Sequence, residues 1–167
     1  GSTLLPLLAC SEDLPPPDPA SPPPPAKAPP DLSDAIEKRV EGKTEEAIEL
    51  LRKYNEEFPD SPEILIQLGR SLHDSGQYAL SAFRLEQAMS AGAGKTLLKE
   101  VAQAHEKAGD EKSAQERYSE FLADNSDDTE AWLALARLLA RADMDTEALN
   151  AFGQAAESTT HEDCLLI

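Results

Sequence analysis

Aromatic side chains are scarce in this chain, which has one Trp, three Tyr and four Phe among 167 residues. A core built mainly on large stacked rings is therefore excluded. Alanine and leucine dominate the second half of the sequence instead, and small residues allow helices to cross at close range. The composition favours an all-α fold.

Basic residues are also few. Acidic residues outnumber them 32 to 15 along the chain, which gives a formal net charge of −17. Such a field repels phosphate backbones and anionic lipid headgroups. We therefore expect no nucleic acid among the partners.

Cysteine and histidine occur too sparsely for a disulfide framework or a metal centre. Cys10 and Cys164 stand near opposite ends of the chain. His73, His105 and His161 fall at no ligand spacing with one another or with a cysteine. No nucleophile with a matching base can be placed either. The sequence predicts no metal, no cofactor and no enzyme activity.

Two short motifs begin like ligand-binding loops without completing them. Residues 92–96 (GAGKT) resemble part of a phosphate-binding loop, but Met89 stands where that loop requires a glycine, and a predicted helix precedes it. We interpret this segment as a link between helical units. Residues 143–147 (DMDTE) lack the glycine and the distant glutamate of a calcium loop, and a turn with a helix N-cap is the simpler interpretation.

Residues 11–30 contain ten of the thirteen prolines of the chain and almost nothing apolar. Such a segment cannot bury enough surface to fold. It favours extended polyproline II, at roughly 3.1 Å per residue. We predict a disordered, stiff linker that spaces a domain from an anchor. A proline-rich ligand for SH3-like domains is the alternative.

A short apolar run before Cys10 is too short to span a bilayer. Its last residues, Leu7-Leu8-Ala9-Cys10, resemble the lipobox of bacterial lipoprotein signals. The resemblance implies that residues 1–10 are the remainder of such a signal and that Cys10 is lipidated. In that family, Ser11 in place of Asp implies sorting to the outer membrane, facing the periplasm. The alternative is a chance apolar stretch with an ordinary cysteine.

Turn residues recur at a fixed interval through the rest of the chain, because Gly42, Gly76, Gly109 and Asp143 are 34, 33 and 34 residues apart. Apolar residues recur at three- and four-residue steps on both sides of each turn, which predicts helical hairpins. Five more columns keep the register: Ala47, Ser81, Ala114 and Ala148; Leu51, Leu85, Tyr118 and Phe152; Tyr54, Ala88, Phe121 and Ala155; Leu65, Leu98 and Trp132; Ala35, Gly69, Ala102 and Ala136.

This period, with segments such as residues 62–70 (PEILIQLGR) and 130–136 (EAWLALA), resembles tetratricopeptide repeats. The resemblance covers roughly residues 31–158. It implies about four helical hairpins stacked as a right-handed α-solenoid, whose first helices line a concave groove.

Both ends of the array are irregular. Pro29-Pro30 force a late start of the first helix, and Asp34 replaces the apolar residue of the other units, so the first repeat is predicted to be frayed or capping. Residues 159–167 form a tail in which the period places the start of a fifth repeat. An uncovered apolar end there favours self-association. Residues 164–167 (CLLI) also resemble a prenylation box, but the register by itself predicts their apolar residues.

The resemblance further implies which residues face a partner, since ligands of the family mostly contact first-helix positions two, five, nine, twelve and thirteen. Carried over, these positions give the candidate groove: Ile36, Arg39, Ile66, Arg70, His73, Lys99, Gln103, Lys107, Leu133, Arg137 and Arg141, with Val40, Glu63, Asp74, Thr96, Glu106, Glu130 and Ala140.

Six cations and four anions lie at these positions, a sum of +2 in a chain of −17. Such a groove favours an acidic or C-terminal-carboxylate peptide, and Arg137 and Arg141, one helical turn apart, are the predicted fork for it. The alternative is that exposed helices carry these charges for solubility and i,i+4 pairing.

We therefore expect a non-catalytic protein-interaction scaffold. The first hypothesis is a lipid-anchored periplasmic protein, held in the outer membrane through Cys10, that assists assembly of an envelope complex. The alternatives are a soluble cytosolic adaptor or co-chaperone and an enzyme subunit that needs a partner domain.

Overall fold

The computed structural model describes residues 27–164, with side chains through residue 159. The lipobox, Cys10 and residues 11–26 of the proline-rich linker lie outside the described residues. Within them the secondary structure is all α-helical apart from turns. The helices are α1 (Ser33–Val40), α2 (Thr44–Glu57), α3 (Pro62–Asp74), α4 (Tyr78–Ala88), α5 (Leu98–Ala108), α6 (Glu111–Asp124), α7 (Thr129–Arg141) and α8 (Asp145–Cys164).

Consecutive helices pair as four hairpins: α1 with α2, α3 with α4, α5 with α6, and α7 with α8. Each hairpin also packs against the next, through α2 with α3, α4 with α5, and α6 with α7. The prediction of an all-α solenoid of four helical hairpins is confirmed. We call the first helix of each hairpin inner and the second outer.

The turn inside each hairpin has the same geometry in all four repeats. Its central residue has a positive φ, from 58° at Asp143 to 81° at Gly109. The residue that follows donates its N–H to the carbonyl five positions earlier, as Gln77 does to Leu72 at 2.8 Å. Left-handed backbone is open to glycine and tolerable for aspartate. This explains why the turn column contains only these two residue types.

Side-chain caps fix where several helices begin. Ser61, Asp110 and Asp128 each accept a hydrogen bond from the N–H three residues on, at the starts of α3, α6 and α7. Pro62 then occupies the first position of α3, where its missing N–H costs nothing. The same short capping residues recur because every hairpin has to be restarted after a turn.

The core runs along the axis of the solenoid between inner and outer helices. The column of small residues is buried in every repeat, with exposed fractions from 0 to 4% at Ala47, Ser81, Ala114 and Ala148. Leu51, Leu85 and Tyr118 are buried in the next column, whereas Phe152 remains 40% exposed. The last repeat therefore differs from the others on one face.

Departures from the regular repeat occur at both ends and in the middle. Helix α1 begins only at Ser33, as the preceding prolines predict. A π-helical turn, Met89–Ala93, and a 3₁₀ turn, Gly94–Leu97, join α4 to α5, which confirms that residues 92–96 link two units. Helix α8 continues to Cys164, through the place where the period predicted a turn before a fifth repeat.

Candidate binding groove

The inner helices bring most of the predicted groove residues together around two neighbouring cavities. Eight of the eleven primary candidates line a cavity of the described surface, and Ile36, Ile66 and Arg141 do not. The structure thus places the predicted positions on a common face. Their role in partner binding stays a prediction.

The first cavity, of about 330 Å³, lies across α1, α3 and α5. Its floor includes Leu85 of α4, and its wall is polar, formed by Arg39, Arg70, His73, Asp74, Glu100 and Gln103. His73 is held in place by an edge-on contact with the ring of Tyr78, at 5.1 Å between centroids. Two ion pairs between repeats cross this cavity, and they determine its charge.

The first of these pairs joins Arg39 of α1 to Asp74 of α3, at 2.9 Å. The second is bidentate: the guanidinium of Arg70 donates to both carboxylate oxygens of Glu100, at 2.8 and 2.7 Å. The hydrogen bonds with Glu100 raise the pKa of Arg70. Parallel N–H···O bonds of this kind fix orientation as well as charge. Both cations are thus already neutralised by the following repeat.

The same arrangement recurs further along the solenoid. Lys99 of α5 contacts Asp128 and Glu130, each at 2.8 Å. Burial opposes its charge, but hydrogen bonds with the two carboxylates raise the pKa of Lys99. Arg141 of α7 lies 2.8 Å from Glu111 and 3.8 Å from Glu106. We call this series of contacts between neighbouring repeats the ion-pair ladder.

The second cavity, of about 390 Å³, lies across α3, α5 and α7. Its lining is His73, Lys99, Gln103, Glu106, Lys107, Tyr118, Glu130, Ala134 and Arg137. Tyr118 is buried and donates its hydroxyl to Glu106 at 3.1 Å. Burial, with the nearby charge of Glu106, raises the pKa of Tyr118. The base of this cavity is therefore a neutral phenol.

Lys107 and Arg137 differ from the other groove cations. Both are exposed and line the second cavity, and no described carboxylate forms an ion pair with either. Of the six cations that the sequence placed in the groove, four are members of the ladder. Lys107 and Arg137 are the two whose charge no described carboxylate neutralises.

This pairing corrects two interpretations made from the sequence. Arg137 and Arg141 do not form an equivalent fork, because Glu111 holds Arg141 while Arg137 faces the cavity. The ladder is not i,i+4 pairing within a helix either, because its partners stand 29 to 35 residues apart. Sequence reasoning missed Glu100, Glu111 and Tyr118. A search for opposite charges one repeat apart would have found the first two.

Several kinds of site are absent from the described residues. No group of three or more His, Cys, Asp or Glu in residues 27–164 is arranged to hold a metal ion. None of the helices in that part of the chain combines the length and apolar character needed to cross a membrane. His105 contacts Glu86 at 3.2 Å and Asp110 at 3.3 Å, which makes it part of the packing between α4, α5 and α6.

Comparison with known proteins supports the fold. Two family models, both described as tetratricopeptide repeat, match residues 41–104 and 95–138. No curated protein sequence matches the chain. A crystal structure of MamA is similar, with a TM-score of 0.72 and 17% identity over 79% of this chain and 78% of that one.

Two other solved structures show the same likeness. MamA 41-end from Desulfovibrio magneticus RS-1 gives a TM-score of 0.69 at 18% identity, over 78% of this chain and 77% of that one. YrrB, described as a TPR protein with an unusual peptide-binding site, gives 0.68 at 22% identity, over 76% of this chain and 66% of that one. The four matching turns, the stacked hairpins and the family models, which together span residues 41–138, identify this chain as a member of the tetratricopeptide repeat family.

Proposed function

We propose that this chain is a non-catalytic scaffold that holds an acidic segment of a partner protein in its groove. Solenoids of helical hairpins offer extended concave surfaces for such binding. YrrB, whose fold this chain shares, is described as having a peptide-binding site. The observation that carries the proposal is the position of Lys107 and Arg137 on one cavity, without a carboxylate from the described chain.

The ladder explains why these two residues, and not the other cations, are proposed as the recognition site. Arg70 would have to give up two hydrogen bonds with Glu100 to bind a ligand. Lys107 and Arg137 lose only water, so an incoming carboxylate gains charge-assisted hydrogen bonds at a smaller cost. Gln103 and His73 on the same cavity supply further polar contacts. A side-chain or C-terminal carboxylate is thus the proposed ligand group.

Charge reversal tests this site. In affinity capture from an extract of the source cells, a Lys107→Glu, Arg137→Glu bait should lose the partner that the wild-type chain retains. The matched control is Arg52→Glu with Lys112→Glu, which changes the same residue types by the same charge at exposed positions of α2 and α6. Capture by wild type should weaken as salt rises, because exposed charges are screened. Equal loss in both variants, or no loss in either, would remove the groove proposal.

We also propose that the solenoid is held in the bacterial outer membrane, facing the periplasm, by a lipid on Cys10. Its support is Leu7-Leu8-Ala9-Cys10, followed by the proline-rich residues 11–30. Intact-mass analysis of the protein expressed from its native gene start, with membrane fractionation, tests it. A diacylglyceryl-modified chain that begins at Cys10 is expected in the outer-membrane fraction. An unmodified chain in the soluble fraction would favour the cytosolic adaptor instead.

A further inference from the structure

Three large apolar side chains are exposed together at the last repeat. Leu133 on α7 is 39% exposed, and Leu149 and Phe152 on α8 are 72% and 40% exposed. We call these three residues the C-terminal edge. Isolated apolar residues at a surface are common, but these three occupy register positions that have a defined task in the earlier repeats.

The column of Phe152 contains Leu51, Leu85 and Tyr118, each at most 2% exposed. Each of the three is covered by the inner helix of the next repeat. Leu51 packs in a cluster that includes Leu68 of α3. Leu85 packs with Val101 of α5, and Tyr118 with residues of α7. Phe152 is the member of this column for which the described chain provides no covering helix.

The columns of Leu149 and Leu133 give the same result. One repeat before Leu149 stands Gln115, whose side chain donates to the carbonyl of Leu138 on α7, at 3.2 Å. One repeat before Leu133 stands Lys99, which contacts Asp128 and Glu130 at the start of α7. All three residues of the C-terminal edge are thus placed to contact a following inner helix.

The surface of α8 beside these residues also permits a helix to approach closely. Gly153 follows Phe152, and a Cβ atom added there would meet nothing within 4 Å. At Gly69, inside the solenoid, the same added atom would lie 2.8 Å from Leu85. Gly153 therefore faces open space of the kind that a neighbouring repeat fills elsewhere in the chain.

We propose that the C-terminal edge docks an amphipathic α-helix of a partner protein, whose apolar stripe is bordered by Lys or Arg. The inner helices that cover the equivalent columns, α3, α5 and α7, run 11 to 13 residues, and the docked helix has a similar length. Basic borders follow from charge. Helix α8 contains five acidic residues and no Lys or Arg, so cations beside the stripe are attracted and carboxylates are repelled.

A second copy of this chain fits the C-terminal edge poorly, although the sequence favoured self-association there. Contact between two such edges would bring the acidic α8 helices of both copies together. Contact of the edge with the start of another copy would place apolar residues against α1, where Asp31 and Asp34 are exposed. Like charges and buried carboxylates disfavour both arrangements. This proposal does not depend on what the groove binds.

Binding of a defined helical peptide tests the proposal. The probe is a fluorescein-labelled peptide with the sequence of residues 129–141, helix α7, which covers the equivalent columns of α6 and has a formal charge of +1 from two Arg and one Glu. Fluorescence anisotropy measures its binding to the intact chain. Leu149→Glu with Phe152→Glu should weaken binding at least about tenfold, because a charge then faces the apolar stripe.

The control variant is Leu80→Glu with Phe83→Glu, two apolar residues of α4 that are 47% and 57% exposed, and it should bind the probe as wild type does. A second probe, with glutamate in place of both arginines, should bind more weakly than the first. Circular dichroism establishes that both chain variants remain helical. Equal binding by the edge variant and the control, or tighter binding of the acidic probe, would overturn the proposal. So would a concentration-dependent dimer of the wild type that the edge variant lacks.

Discussion

Ser81 shows how a single residue can depart from its column without disturbing the fold. The other three members of this column are alanines, and all four positions are buried. The hydroxyl of Ser81 has no hydrogen-bond partner among the described residues. A buried, unpaired hydroxyl is destabilising, so this position has stability to gain.

Ser81→Ala should therefore raise the free energy of unfolding by about 1 kcal/mol, since it removes a desolvated hydroxyl and introduces a better helix former. Chemical denaturation of the wild type and the variant measures this difference. Ala114→Ser is the matched control, which places a hydroxyl in the same column of the next repeat and should lower stability. A less stable Ser81→Ala variant would show that the hydroxyl has a partner.

Tyr118 gives the structure a dependence on alkaline pH. Burial and Glu106 raise the pKa of Tyr118 in the folded chain, above the value of about 10 for an exposed phenol. The folded state thus holds this proton more tightly than the unfolded state. The contribution of Tyr118 to stability is complete below pH ~10 and is lost as the pH rises further.

Above pH ~10 the wild type should consequently lose stability more steeply than Tyr118→Phe, which cannot ionise at this position. Denaturation at a series of pH values from 8 upward, about half a unit apart, measures the two slopes. At neutral pH the variant should be slightly less stable, because the hydrogen bond to Glu106 is gone. Parallel slopes for both chains would contradict the buried position of the phenol.

At the scale of the helices, glycine has opposite effects in α3 and α8. Gly69 allows α3 to lie against Leu85 of α4, which an added Cβ would reach at 2.8 Å. Gly153 lies in α8 with open space around it. The other repeats place alanine in the column of Gly69, so the close approach is specific to the second hairpin.

Gly69→Ala should lower the free energy of unfolding by about 1 kcal/mol or more, because overpacking against Leu85 outweighs the gain in helix propensity. Gly153→Ala should raise it by roughly 0.5–1 kcal/mol, because it gains propensity without a clash. Thermal unfolding of both variants beside the wild type checks the pair. Stabilisation by both substitutions would mean that α3 and α4 are further apart than described.

The elements that could be predicted from sequence are those that a local rule determines. A turn with positive φ restricts the residue type, so Gly42, Gly76 and Gly109 disclosed the period. The extension of α8 to Cys164 could not be predicted in this way, because nothing between residues 155 and 164 breaks a helix: the segment has neither proline nor glycine. The period predicts a turn only where the sequence also supplies one.

The predicted groove positions show the same division. Their common face follows from helical periodicity, and most of them indeed line two neighbouring cavities. Which cations are neutralised depends on contacts such as Arg70 with Glu100, whose residues are 30 positions apart. Counting charges at groove positions treated all six cations alike, because the acidic partners Glu100, Glu111 and Asp128 stand outside those positions.

For the whole molecule, the ion-pair ladder separates the structural charges of the groove from those available to a ligand. A net charge of −17 keeps most of the surface unfavourable to acidic partners. Lys107 and Arg137 form a local exception at the second cavity. The C-terminal edge adds a second surface with the opposite preference. A partner that carried both an acidic segment and a basic helix would contact the solenoid at two sites.

Site-specific photo-cross-linking in the source cells tests the groove proposal most directly. A benzophenone amino acid in place of Gln103, which lines both cavities, should give a discrete adduct with a partner protein. That adduct should disappear when Lys107→Glu and Arg137→Glu are added. The same amino acid in place of Glu49, exposed on outer helix α2, should give no such adduct. An adduct of equal yield from position 49, or one that survives the charge reversal, would contradict the groove as the partner site.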